Sequence, residues 1–191
     1  VLLLATDTLP GLHARVDRPE AVRRVAALKG RPGDKPLLVL AASAAAAVAV
    51  TGVLDPRQTA YANRCWPGPF SLVLPAAPDL TPAVTAGGGT VAVRVPGHRG
   101  LVRLLETVGA PVVSTSANRA GEAPARSLAE AELRFADQVD GIFDPGNGDG
   151  PGDRASALID LGVWPPRVLR EGPQPAPPPA GGDLDPAGGE S

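Results

Sequence analysis

Lysine is almost absent from this chain. Of its 18 basic residues the only lysines are Lys29 and Lys35, which flank Gly30-Arg31-Pro32-Gly33-Asp34. A mobile ammonium on such a loop, beside a guanidinium, suits the oxygens of a phosphate; the plain alternative is a solvated loop after a helix. A second group is Ser114-Thr115-Ser116-Ala117-Asn118, hydroxyls and an amide leaving an apolar run together. Strand ends of α/β sheets are where ligands usually bind. Uncharged donors and acceptors there suit ribose, phosphate or an amino acid, and the plain alternative is a Ser/Asn-rich turn. Thr6-Asp7-Thr8 offers similar groups ahead of a glycine turn. Arg94 interrupts an apolar alternation. Turned inward it needs an anion; sharing a face with Thr90 and Ala92, it could equally turn outward. Arg170 ends the last strand candidate with another charge.

Other chemistries find no support. There is no Gly-x-x-x-x-Gly-Lys-Ser/Thr phosphate loop, and the Gly87–Gly89 and Gly150–Gly152 stretches lack the strand–turn–helix setting of a dinucleotide fingerprint. His13 and His98 fall in loop-like segments with no partner to complete a triad, and each reads as a surface histidine. Cys65 beside Trp66 reads as a packed core thiol. Asp144–Asp153 is acidic and Gly-rich but lacks the ligand spacing of a calcium loop.

The elements that would position these groups alternate between strand and helix. Apolar runs at Val1–Ala5, Leu37–Ala41, Phe70–Leu74, Thr90–Val95, Pro111–Thr115, Val139–Phe143, Ala157–Leu161 and Arg167–Leu169 predict strands. Asp17 with Glu20 predicts a capped helix that Gly30 stops, and Ser127 with Glu130 predicts another. Ser43 and Asp55-Pro56 open two more, and Gly100–Val108 is a fifth, closed by Gly109. The alternation predicts an α/β layered fold in one domain, with a mixed sheet because the spacing is too irregular for a parallel repeat.

The chain has 191 residues, a net charge of −2, 43% hydrophobic and 3% aromatic residues, one cysteine and two histidines. That is long enough for a sizeable core. It argues against nucleic-acid binding through bulk charge or base stacking, a disulfide framework, and a Cys/His metal cluster. No apolar run approaches a membrane span, and no signal peptide is visible, so a cytoplasmic protein is expected. The chain has no Met and opens at Val1 inside an apolar run, so upstream residues, and with them an edge of the sheet, are expected to be missing. Gly and Pro stand at 23 each, partly because residues 172–191 form a Pro/Gly-rich, acidic stretch. That stretch reads as a disordered tail beyond a domain over 1–171.

Six ordered blocks carry a resemblance: Thr6-Asp7-Thr8-Leu9-Pro10-Gly11-Leu12, Lys29-Gly30-Arg31-Pro32 with Lys35-Pro36-Leu37, Trp66-Pro67-Gly68-Pro69, Thr90 to Pro96, Ser114 to Asn118 with Gly121, and Val168 to Gly172. In this order the chain resembles the YrdC/TsaC family of L-threonylcarbamoyladenylate synthases, from about Leu4 to Gly172. The resemblance implies an open mixed sheet with flanking helices around a deep, basic cavity. It implies condensation of L-threonine, bicarbonate and ATP to threonylcarbamoyl-AMP and pyrophosphate, for the threonylcarbamoyl modification of adenosine 37 in tRNA. The family signature falls on Lys29, Arg31, Ser116 and Asn118 as catalytic residues. Thr8, Arg94, Ser114 and Ser156 are implied for threonine, and Arg31, Lys35, Thr90, Ser116 and Arg170 for the nucleotide. Mg²⁺ is implied with the ATP phosphates, with no protein metal ligand assigned. The implied partners are the downstream tRNA threonylcarbamoyl-transfer machinery and weakly bound tRNA or RNA, with no membrane.

The sequence also departs from the family. Leu9-Pro10-Gly11 stands where many members have Val-Tyr-Gly. Ser156-Ala157-Leu158-Ile159-Asp160 replaces a Ser-Thr-Val-Asp pattern. Three other readings share the fold: a non-catalytic nucleotide- or RNA-binding paralogue, an inactive copy, and a carbamoyl-transfer domain of the hydrogenase-maturation type.

Overall fold

A mixed sheet of nine strands organises the residues that the structure, a computed structural model, describes: 1–30, 36–146 and 154–179. The strands are β1 (Leu2–Leu4), β2 (Gly11–Arg15), β3 (Leu38–Leu40), β4 (Phe70–Pro75), β5 (Thr90–Arg94), β6 (Val112–Ser116), β7 (Gly141–Phe143), β8 (Ala157–Asp160) and β9 (Arg167–Arg170). The helices are α1 (Pro19–Lys29), α2 (Ala44–Thr51), α3 (Pro56–Cys65), α4 (Pro82–Thr85), α5 (Arg99–Val108) and α6 (Leu128–Phe135). Across the sheet the order is β7-β1-β2-β6-β3-β5-β4-β8-β9. The β1–β7, β3–β5 and β4–β8 pairs are parallel and the rest antiparallel.

Strand alternation divides the sheet into two unlike faces. Val39, Val93 and Val113 lie in one register row and join Val22, Val50, Tyr61 and Phe135 in the main core. Helices α1 to α4 and α6 cover that face. The adjacent row, Leu38, Ala92 and Ser114, points the other way. Among the described residues only α5 covers that second face, through Leu101 and Leu105 packed on Leu4, Leu40 and Val112. Each fully buried Leu or Val contributes about 1.5–3 kcal/mol, so the helix-covered face supplies most of the driving force. The second face is thereby free to carry polar groups beyond α5.

Several local expectations change. Residues 11–15, read as loop, form β2 between β1 and β6. Asp17 does not cap α1. Its carboxylate is held by Arg15, 2.9 Å from Nε and 2.6 Å from Nη2, and the cap position falls on Arg18 with Pro19 behind it. Among the described residues β1 lies between β7 and β2, and the outermost strands are β7 and β9. The expected disordered tail departs from the structure over residues 172–179, which lie against α3. Tyr61 Oη donates to the Pro177 carbonyl at 2.7 Å, and Ala176 packs on the core. Proline has little side-chain freedom to lose on ordering, and its carbonyl remains an acceptor. Residues 180–191 lie outside the described residues.

Candidate active site

The uncovered part of the second face forms the floor of a cavity of about 530 Å³. Among the described residues its lining includes Lys29, Arg94 and Arg170 but no carboxylate, together with Thr8, Ser71, Ser114, Ser116, Asn118 and Ser156.

Lys29 is the last residue of α1. Gly30 ends that helix in the left-handed region at φ 60°, a conformation that an L side chain disfavours. The Lys29 ammonium, 9% exposed, donates to the Ser116 carbonyl at 2.9 Å, to Ser116 Oγ at 3.0 Å and to Asn118 Oδ1. Asn118 is oriented for this, because its Nδ2 donates to the Arg119 and Glu122 carbonyls at 2.9 and 2.7 Å. Ala120 N donates to the Lys29 carbonyl at 2.7 Å, which ties the loop after β6 to the end of α1. Two segments some ninety residues apart are thus locked into one polar cluster.

Arg94 is 1% exposed. Its Nη2 lies 3.1 Å from Asp7 Oδ1, but Nε and Nη1 have no hydrogen-bond partner and neither has Asp7 Oδ1. Asp7 is pinned elsewhere, its Oδ2 accepting from Gly97 N at 3.1 Å. Burial pushes the Arg94 pKa down while Asp7 raises it. A buried guanidinium with two unpaired donors on a cavity wall is costly unless an anion satisfies it. Across the cavity, Arg170 donates from Nε and Nη2 to the Ser156 carbonyl at 3.0 and 2.9 Å, and Ser156 Oγ meets Ser71 Oγ at 2.7 Å. Thr6 gives its hydroxyl proton to the Leu9 carbonyl at 2.8 Å, so Thr8 Oγ1, 3.1 Å away, donates to Thr6.

The structure therefore gathers Thr8, Lys29, Arg94, Ser114, Ser116, Asn118, Ser156 and Arg170 in one cavity. Thr90 is exposed at the opposite end of β5 from Arg94 and is not in the lining. Arg31 and Lys35 lie outside the described residues. Arg94 is buried, not outward-facing. Of the two histidines, only His13 departs from its surface reading. His98 caps α5 by accepting from Leu101 N at 3.0 Å. His13 is 1% exposed on β2, and burial pushes its pKa down to about 4 against the Gly11 carbonyl, with the Arg94 charge lowering it further. Gly11 leaves room for that ring, since a Cβ there would stand 2.9 Å from His13 Cε1 and 2.7 Å from the Thr115 carbonyl. Ser71 was also missed, because one Ser inside an apolar strand gives no sign of its face.

The Sua5/YciO/YrdC family model, described as telomere recombination, matches residues 1–172. The chain belongs to the Sua5/YciO/YrdC family. A threonylcarbamoyl-AMP synthase of Thiobacillus denitrificans is 37% identical over 173 residues, covering 89% of this chain and 88% of that protein. Another, from Pyrococcus abyssi, is 35% identical over 167 residues, covering 87% of this chain and 48% of that protein. The chain thus spans about half the length of that second relative. A crystal structure of Pyrococcus abyssi Sua5 complexed with L-threonine matches with a TM-score of 0.82 at 34% identity, over 90% of this chain and 50% of that one. The open mixed sheet with flanking helices is the Sua5/YciO/YrdC fold. Among the described residues no helix is long and apolar enough to cross a membrane.

Proposed function

We propose that this chain is a cytoplasmic L-threonylcarbamoyladenylate synthase, making threonylcarbamoyl-AMP and pyrophosphate from L-threonine, bicarbonate and ATP. The observation that carries the reading is the buried Arg94, with Nε and Nη1 unpaired, in one cavity with the Lys29–Ser116–Asn118 cluster. Both reacting partners are anionic, a carbamate oxygen attacking the α-phosphorus of ATP, so their approach needs fixed positive charge.

Arg94 receives the threonine carboxylate on a donor that the protein itself leaves unsatisfied, a charge-assisted bond. Thr8, Ser114 and Ser156 line the remainder of the threonine pocket. Lys29, held by Ser116 and Asn118, faces the phosphoryl oxygens on which charge grows, and the family pattern assigns Arg31 and Lys35 to the same nucleotide. Arg170 and Ser116 face the nucleotide, and Thr90, which lies outside the cavity lining, is not carried over to it. Mg²⁺, arriving with ATP, would offset charge on the departing pyrophosphate. Among the described residues neither the cavity lining nor any cluster of three His, Cys, Asp or Glu offers this metal a ligand set, and the phosphates themselves would hold it. The product would pass to the tRNA threonylcarbamoyl-transfer machinery, with only weak contact to RNA itself.

The test is pyrophosphate release from ATP and bicarbonate, with and without L-threonine, in wild type and Lys29→Ala. We expect threonine-dependent release that falls about 10²–10³-fold in the variant, the usual cost of removing a charge-stabilising donor. A folded wild type that binds ATP without threonine-dependent release would make the chain a binding paralogue or an inactive copy.

A further inference from the structure

His13 takes no part in the reaction above, yet it touches the cavity through Ser114. We infer that His13 fixes Ser114 as a hydrogen-bond acceptor only, so that Ser114 Oγ selects a ligand group carrying an N–H or O–H. The inference rests on the threonine reading of the cavity for the identity of that ligand.

The direction of each bond follows from what its partner can do. His13 Nδ1 lies 2.9 Å from the Gly11 carbonyl oxygen. A carbonyl only accepts, so Nδ1 carries the proton. The ring is neutral, because burial, helped by the Arg94 charge, outweighs the pull of the Gly11 and Leu2 carbonyls toward a second proton. Nε2 therefore holds a lone pair, and it lies 3.0 Å from Ser114 Oγ. The single hydroxyl proton of Ser114 goes to that lone pair. Its oxygen then offers the cavity lone pairs alone, which receive an ammonium N–H or a hydroxyl O–H and repel a carboxylate oxygen. Arg94 is the complement on the same wall, with donors and no acceptor. The pair thus reads the two ends of an amino acid in one orientation. His13 is a positioning residue, not a base, because a ring that resists its second proton is a poor proton sink.

Two measurements decide this. Imidazole ¹⁵N spectra of the wild type should show His13 as the neutral Nδ1–H tautomer from pH 6 to 8. An Nε2–H tautomer, or a charged ring in that range, would overturn the inference. Calorimetric titration of L-threonine into wild type, His13→Phe, Ser114→Ala and the double variant should show about tenfold weaker binding in each single variant, with no further loss in the double. Full additivity of the two losses would also overturn it. The analogue L-2-aminobutyrate lacks the hydroxyl and 3-hydroxybutyrate lacks the amine; whichever loses affinity with Ser114→Ala identifies the received group. If His13→Phe does not fold, the tautomer and Ser114→Ala still decide. A folded wild type that binds none of the three ligands overturns the threonine reading and the ligand assigned to Ser114. The tautomer result separates that failure from failure of the His13–Ser114 bond.

Discussion

At the scale of single residues, two buried polar groups set the character of the cavity, and each carries a cost. Arg94 keeps a cation out of water with one carboxylate neighbour. His13 keeps a neutral imidazole where water would let it protonate. The folded His13 value of about 4 lies below the ordinary value of 6.5. Between these values the unfolded chain binds the extra proton and the folded chain does not. Stability is therefore full above pH 6.5 and drains away as pH falls toward 4, by on the order of 3 kcal/mol from this group at its limit. Urea unfolding at pH 7 and pH 4.5 should show a larger drop in midpoint for wild type than for His13→Phe. Equal drops would remove His13 from the acid response. Lys29 was legible as one of only two lysines, Ser114, Ser116 and Asn118 as hydroxyls and an amide leaving an apolar run together, and Arg94 as a charge interrupting an apolar alternation. His13 was not legible, because its partner Ser114 is 101 residues away and a lone histidine carries no signature of the strand that buries it.

At the scale of elements, the helices were legible where short polar side chains start them. Asp55 Oδ1 accepts from Gln58 N at 2.8 Å, and Gln58 Oε1 accepts from Asp55 N at 3.2 Å, a reciprocal cap on α3. Asp55→Ala removes one arm outright and leaves an orphan N–H, so unfolding free energy should fall by about 1 kcal/mol. Denaturant titration at pH 7 checks this, and no loss would mean that tertiary packing alone holds α3. β2 was not legible. Its Gly-Leu-His-Ala-Arg sequence has a weak alternation after a run of turn residues, and it becomes a strand only because β1 and β6 hold both of its edges. Tertiary pairing overrode local preference there. The α1 cap was misplaced for a related reason, since Arg15 took the carboxylate that would have capped the helix.

At the scale of the whole molecule, an α/β layered fold on a mixed sheet was foreseeable from the alternation of strands and helices, but the unequal covering of the two faces was not. Where α5 stops depends on long-range contacts that periodicity does not encode. The segment 173–179 also acts at this scale, because it runs back over α3. A chain ending at Gly172 loses the Tyr61 contact to Pro177 and the packing of Ala176. Its unfolding free energy should fall by about 1–2 kcal/mol relative to a chain ending at Pro179, with one hydrogen bond and one apolar contact removed. Equal midpoints in thermal unfolding would show that the segment only rests on the surface.

The cavity draws on residues from Thr8 to Arg170, nearly the full length of the folded region. A chain emerging from the ribosome therefore carries its first cation, Lys29, long before it carries Ser156 or Arg170. Nascent chains at that stage present no assembled recognition surface, and nucleotide in the surrounding solution cannot be captured by an unfinished copy.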